Sequence, residues 1–247
     1  MKFFGLDVNL HIRDTLDLFL TNNRLSKNLF GQNRSIFYNR AVTRKIITHF
    51  GADDGQNINT LTGNLGYGFI HYSFIVNTKP ERVLCVGSRK GFIPSICALA
   101  CQENGKGHVD FVDAGYDKDN PNHWTGIGWW KKIQPKIHFS ELDVDKWLTT
   151  YVMTTKEFAK KYKYRYQYIY IDGDHSYKGV KTDFGLFWPR LDKHSLMSFH
   201  DVVVKRDIGL PPFGVWKFWN EIKNKNKIVF PFPKNSGLGI IQKINKQ

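Results

Sequence analysis

The apolar positions of this chain are unevenly spread. Residues 1–60 are polar and asparagine-rich, with weak helical stretches only at Thr15–Leu20 and Ala41–Phe50. Beyond them the apolar residues gather into regular blocks. Phe69–Val76 predicts a helix ended by Asn77-Thr78-Lys79-Pro80. Val83–Val86 is a continuous apolar run between Pro80 and Gly87, the pattern of a strand buried on both faces. Ile93–Ala100 predicts a helix, His108–Val112 a second strand closed by Asp113, and Lys136–Phe139 a third strand. Tyr166–Ile171 carries β-formers at nearly every position and is the strongest strand signal in the chain. A helix over Tyr177–Phe187, a strand over Ser195–Phe199 and a helix over Val215–Lys223 follow, and Lys227–Phe232 with Gly239–Lys243 reads as a closing antiparallel pair. Strands alternating with helices predict an α/β fold, a parallel sheet covered by helices on both faces. In such sheets ligands bind beyond the carboxyl ends of the strands.

Composition sets the frame. A chain of 247 residues with 41% hydrophobic and 15% aromatic content builds a full core. The pattern divides it into an N-terminal extension, residues 1–60, expected to serve as a lid or as a substrate or oligomer segment, and a main domain, 61–247. No run approaches the roughly 18 apolar residues of a membrane span, and the opening Met1-Lys2-Phe3-Phe4-Gly5-Leu6-Asp7 meets charge too early for a secretory leader. Cys85, Cys97 and Cys101 are odd in number and lack CxxC spacing, so neither a disulfide framework nor a zinc cluster is indicated. A soluble cytoplasmic protein is expected. The net charge of +14 is concentrated in residues 1–50 and 205–247. That favours a neutral catalytic core with basic flanks, and it keeps an RNA-directed or RNA-binding role as an alternative.

The residues that follow each strand carry the candidate chemistry. Gly87-Ser88-Arg89-Lys90-Gly91 is a glycine turn leading into a helix, suited to close approach by a ligand. It lacks the middle glycine of the dinucleotide fingerprint, which disfavours a nicotinamide-dependent oxidoreductase. Asp113, at the end of the second strand, can accept both hydroxyls of a ribose. Asp172-Gly173-Asp174-His175 gathers two carboxylates and an imidazole at the end of the fourth strand, with Asp174 open to a simple capping role. His200-Asp201 closes the fifth strand. If the fourth and fifth strands are neighbours, Asp172, His200 and Asp201 form a site for a divalent cation, Mg²⁺ foremost, with Mn²⁺ or Fe²⁺ better suited to the imidazole.

These segments resemble a known family. Val83–Gly91 is similar to motif I of class I S-adenosylmethionine-dependent methyltransferases. Ile171-Asp172-Gly173-Asp174-His175-Ser176-Tyr177-Lys178-Gly179-Val180 with Asp183 resembles the signature of a small-molecule O-methyltransferase group that includes macrolide-sugar enzymes and relatives of cephalosporin hydroxylase. Phe199–Val202 and Gly214–Trp219 resemble that group's next segment. The resemblance implies a Rossmann-like, seven-stranded, mostly parallel sheet with an antiparallel last strand. It implies S-adenosyl-L-methionine as cofactor, with Gly87, Ser88 and Gly91 beside its methionine part, Asp113 at the ribose and Asp143 near the adenine. It implies a cation on Asp172, His200 and Asp201, with His175 as general base. The acceptor would be a hydroxyl of a small molecule or saccharide, faced by Tyr67 and Tyr177 and covered by the loop Tyr116–Trp130, whose Trp124, Trp129 and Trp130 can stack on it.

Overall fold

The computed structural model describes residues 40–115, 129–205, 213–223, 226–231 and 236–244, with the backbone of 2–3 and 6–7. Thr15–Leu20, Trp124 and most of Tyr116–Trp130 lie outside the described residues. Seven strands form one sheet: β1 (Arg82–Val86), β2 (His108–Asp113), β3 (Leu148–Val152), β4 (Tyr166–Ile171), β5 (Leu191–His200), β6 (Lys227–Phe230) and β7 (Leu238–Gln242). Their order is β3-β2-β1-β4-β5-β7-β6. Every neighbouring pair is parallel except those made by β7, which runs against both β5 and β6. This is the mostly parallel sheet with a reversed last strand that the sequence predicts.

Eight helices complete the described fold: α1 (Arg40–Phe50), α2 (Tyr67–Thr78), α3 (Phe92–Asn104), α4 (Trp129–Lys132), α5 (Pro135–Ser140), α6 (Thr155–Lys161), α7 (Tyr177–Phe187) and α8 (Val215–Glu221). Alternation along β1 shows how two cores arise from one strand. Val83 and Cys85 join a cluster with residues of α1, α2 and α3, while Leu84 and Val86 join a second with α6, α7 and α8. All four side chains are buried, which accounts for the unbroken apolar run. The three cysteines are buried and free.

The expected third strand is corrected. Lys136–Phe139 lies inside α5, which Pro135 opens at its first turn, where a missing N–H costs nothing. The third strand is β3, a sheet edge whose residues past Leu148 are half-exposed or exposed. No helix among the described residues is long and apolar enough to cross a membrane.

Strand order reverses at β1, where the chain leaves toward β2 on one side and returns to β4 on the other. The crevice at the carboxyl ends of β1, β2 and β4 is therefore the ligand position of the fold.

Candidate active site

The first strand end turns through Gly87, Ser88 and Arg89, all at positive φ (67°, 148° and 48°). A Cβ on Gly87 would lie 2.1 Å from the carbonyl oxygen of Asp172. Glycine is therefore required for the ends of β1 and β4 to touch. Beside this turn, Asp113 Oδ1 accepts the Gly115 N–H at 2.7 Å. Burial, opposed by that bond and reinforced by the charge of Asp172, lifts the Asp113 carboxyl to about 6.

The fourth strand end holds the chemistry. His175 Nε2 donates to Asp172 Oδ1 at 3.2 Å, and its Nδ1 lies 3.1 Å from Asp201 Oδ2. His200 Nδ1 stands 3.2 Å from Asp172 Oδ1 and 3.3 Å from Asp201 Oδ2. The second oxygen of Asp172 accepts from the Tyr170 hydroxyl at 2.8 Å and from Gln56 Nε2 at 3.4 Å. Two carboxylates and two imidazoles thus interlock with little exposed surface, 10% or less for each side chain. Burial alone would raise the Asp172 pKa, but His200 and His175 overcome it and hold the carboxyl well below the usual range. Burial likewise opposes charge on both rings. The bond from Asp172 with the charge of Asp201 raises His175, and Asp201 with Asp172 raises His200 well above an ordinary imidazole.

Asp174 plays the local part that the sequence left open to it. Its Oδ1 accepts the Ser176 N–H at 2.9 Å, and Ser176 Oγ caps α7 by accepting from Gly179 N at 3.0 Å. A Cβ on Gly179 would fall 2.3 Å from Asp174 Cγ, so the glycine of this segment makes room for the turn.

A cavity of about 810 Å³ connects these parts, inside the roughly 300–1,000 Å³ range of small-molecule sites. Gly87, Ser88, Asp113, Asp172, His175, His200 and Asp201 all line it. Two expected residues do not. Gly91 precedes α3 at φ 84°, and a Cβ there would meet Phe139 at 2.8 Å and Trp130 at 3.2 Å, so it packs against aromatic rings. Asp143, expected past the third strand, precedes it instead. Its side chain is 71% exposed and pairs with Lys45 at 3.0 Å. Thr154, Thr155 and Lys156, which do follow β3, take that place on the wall. Trp129 and Trp130 line the cavity. Tyr67 and Tyr177 do not: Tyr67 is buried with its hydroxyl 3.3 Å from Ser236 Oγ, and Tyr177 donates to Glu221.

Sequence reasoning missed the contribution of residues 53–56. His200 Nε2 donates to the Gly55 carbonyl at 2.8 Å, Ser236 Oγ donates to the same oxygen at 2.6 Å, and Gln56 reaches Tyr170 and Asp172. Asp183, which belongs to the signature segment, is a buried acid on the wall, whose carboxyl burial lifts to about 7 against a hydrogen bond from Thr155 and with the charge of Asp174.

Residues 84–202, from β1 to just past β5, match the sequence profile of the family described as Methyltransferase domain. Residues 84–202 therefore carry a methyltransferase domain. The same fold occurs in cofactor-bound Rv0187 from MTB, with a TM-score of 0.60 at 11% identity over 90% of this chain and 95% of that chain. It occurs also in the O-methyltransferase TomG from Streptomyces achromogenes, involved in tomaymycin synthesis and solved with SAM, with a TM-score of 0.55 at 11% identity over 82% and 88% of the two chains. An uncharacterised protein of Sinorhizobium fredii, y4gI, is 39% identical over 71 residues, 29% of the methyltransferase. The match spans only 7% of that relative's length.

Proposed function

We propose that this methyltransferase alkylates a hydroxyl of a small molecule or saccharide, with His175 accepting the proton and Asp172, His200 and Asp201 holding a divalent cation, Mg²⁺ foremost. One observation carries the reading: within the cavity bordered by Gly87 and Asp113, a hydrogen bond from Nε2 to Asp172 orients the His175 ring, with Nδ1 3.1 Å from Asp201.

The cavity walls suit an adenosyl ligand. The open turn at Gly87 admits a close backbone approach, and the half-buried Asp113 offers an acceptor for ribose hydroxyls. When bound, S-adenosyl-L-methionine supplies an electrophilic methyl group on a sulfonium. The donor set at the fourth and fifth strand ends suits a divalent cation as well. Asp172 and Asp201 offer carboxylate oxygens close to one another, and His200 Nδ1 stands 3.2 and 3.3 Å from the two. When bound, the cation supplies a positive field that favours loss of the hydroxyl proton.

The chain's own residues do the remaining work. Gln56 and Tyr170 hold Asp172 Oδ2, so Oδ1 is left toward the imidazoles. Asp172 and Asp201 orient the His175 ring and raise its affinity for a proton, the property a general base needs. The aromatic wall of Phe50, Phe92, Trp129 and Trp130 excludes water from the acceptor side. Residues 53–56 take the part of a wall over the acceptor, a role supported by Asp53, Gly55 and Gln56 lining the cavity.

The test is transfer of labelled methyl from S-adenosyl-L-methionine across a panel of glycans and phenols, with and without EDTA. Labelled hydroxyl product is expected, lost with EDTA and restored by Mg²⁺. His175→Ala should lose turnover by about 10²-fold or more while S-adenosylhomocysteine still binds. Product formed only on RNA would overturn the acceptor class, and undiminished turnover in EDTA would overturn the cation.

A further inference from the structure

The cavity wall continues past Lys90 and Trp129, which also line a second groove of about 1,080 Å³. One side of this groove is α1, with Arg44, Lys45 and His49, and the other is the segment 133–141. Its charge is lopsided: three cations, Arg44, Lys45 and Lys90, face a single carboxylate, Glu141. Glu141 is engaged by His49 Nδ1 at 3.1 Å, and Lys45 by Asp143 at 3.0 Å. Among the described residues, Arg44 and Lys90 have no carboxylate partner. The Lys90 ammonium sits 5.2 Å over the Trp129 ring, and both residues border the two spaces. The same groove exposes Ile133 and Ile137, at 37% and 57%, unusual surface positions for isoleucine.

We infer that the groove holds an acidic group of the methyl acceptor, a phosphate or a carboxylate, while the acceptor's hydroxyl reaches the His175 end of the cavity. This rests on the reading of that cavity as the place of methyl transfer, and it narrows the acceptor to an anionic hydroxyl compound. Arg44 presents a planar fork of donors that matches either anion, and Lys90 adds a compact charge on the border of the two spaces. The isoleucines and Trp129 cover the body of the ligand and lower the local dielectric, which strengthens both contacts. Lys90 and Trp129 line both spaces, so the anion end and the reacting end are neighbours. The strongly cationic chain also speeds encounter with an anionic partner.

Two measurements on the full chain test this. In the first, inorganic pyrophosphate is titrated calorimetrically, with S-adenosylhomocysteine as the reference ligand. Pyrophosphate should bind, and Arg44→Glu should weaken it at least about tenfold with the reference affinity unchanged, since Arg44 is exposed and lies outside the main cavity. In the second, methyl transfer is compared between paired acceptors that differ only in one phosphate or one carboxylate. The acidic member should be preferred, and R44E should raise its KM about tenfold while leaving kcat and the neutral member unaffected; the better acid identifies the group. Pyrophosphate binding that is absent, or equal in the variant, overturns the inference. So does turnover of neutral acceptors alone with no effect of R44E, an outcome that leaves the methyl-transfer reading standing. Pyrophosphate binding lost in R44E, with no acceptor methylated, supports the groove and removes that reading.

Discussion

His200 and Gly55 lie 145 residues apart, yet the imidazole Nε2 of the first donates to the carbonyl oxygen of the second at 2.8 Å. That bond places the Nε2 proton and turns Nδ1 toward Asp172 and Asp201. It ties the polar segment ahead of the matched domain to the last of the site-bearing strand ends. Ser236 closes the same knot by donating to the Gly55 oxygen, with its Oγ 3.3 Å from the Tyr67 hydroxyl.

Removing the His200 ring should therefore be costly. His200→Ala takes one cationic partner from two buried carboxylates, a change typically worth about 3–5 kcal/mol. Urea denaturation should register a loss of about 3 kcal/mol, partly recovered by Mg²⁺ at millimolar concentration. A loss within about 0.5 kcal/mol, ordinary for surface positions, would mean the interlocked cluster does not stabilise the fold.

Gly87→Ala should abolish cofactor binding before anything else. The new Cβ has no room against the Asp172 backbone, and φ of 67° adds strain. S-adenosylhomocysteine affinity is expected to fall by about 10²-fold or more in calorimetry, with a lowered Tm. Wild-type affinity would show that the β1 and β4 ends are not in contact.

Asp110→Ala separates stability from binding. Asp110 is fully buried and accepts from Arg82 at 2.7 and 3.1 Å, from Tyr166 at 3.1 Å and from Tyr151 at 3.3 Å, away from the cavity wall. Leaving Arg82 without its partner should cost about 3–5 kcal/mol. S-adenosylhomocysteine affinity should stay within about twofold at a temperature where the variant is folded; a larger loss would link this network to the ligand.

Asp183 gives a pH signature of opposite sign to the usual carboxylate. Its folded value of about 7 stands above its ordinary 3.8, so the folded chain keeps a proton that the unfolded chain releases. Stability from this group is present at acid pH and is lost as pH rises from about 4 to about 7. Asp183→Asn removes that dependence. Its Tm should gain on the wild type across this window, by the equivalent of up to about 4 kcal/mol. A constant difference between the two proteins would show that the carboxyl is ionised in the fold throughout.

The sequence made the buried centre legible and the rim less so. Tyr166–Ile171 and Tyr177–Phe187 are seen at the predicted boundaries, because β-formers crowd the first and Ser176 caps the second. β3 escaped notice because an edge strand with Leu148 as its one buried residue carries no continuous apolar run. Asp143 was misplaced with it, since a residue assigned by counting past a strand moves when the strand does. Asp172, His175, His200 and Asp201 were readable because each follows a strand that the pattern already marked. Gly55, Gln56 and Ser236 were not, because their roles come from long-range backbone and amide contacts that leave no periodicity in the chain.

A crystal structure with S-adenosylhomocysteine and MgCl₂ tests the central claim most directly. The ribose is expected on Asp113, the homocysteine part along the Gly87 turn, and the sulfur pointing to the cluster of Asp172, His175 and Asp201. Ligand density bound elsewhere, with that cavity filled only by solvent, would contradict it.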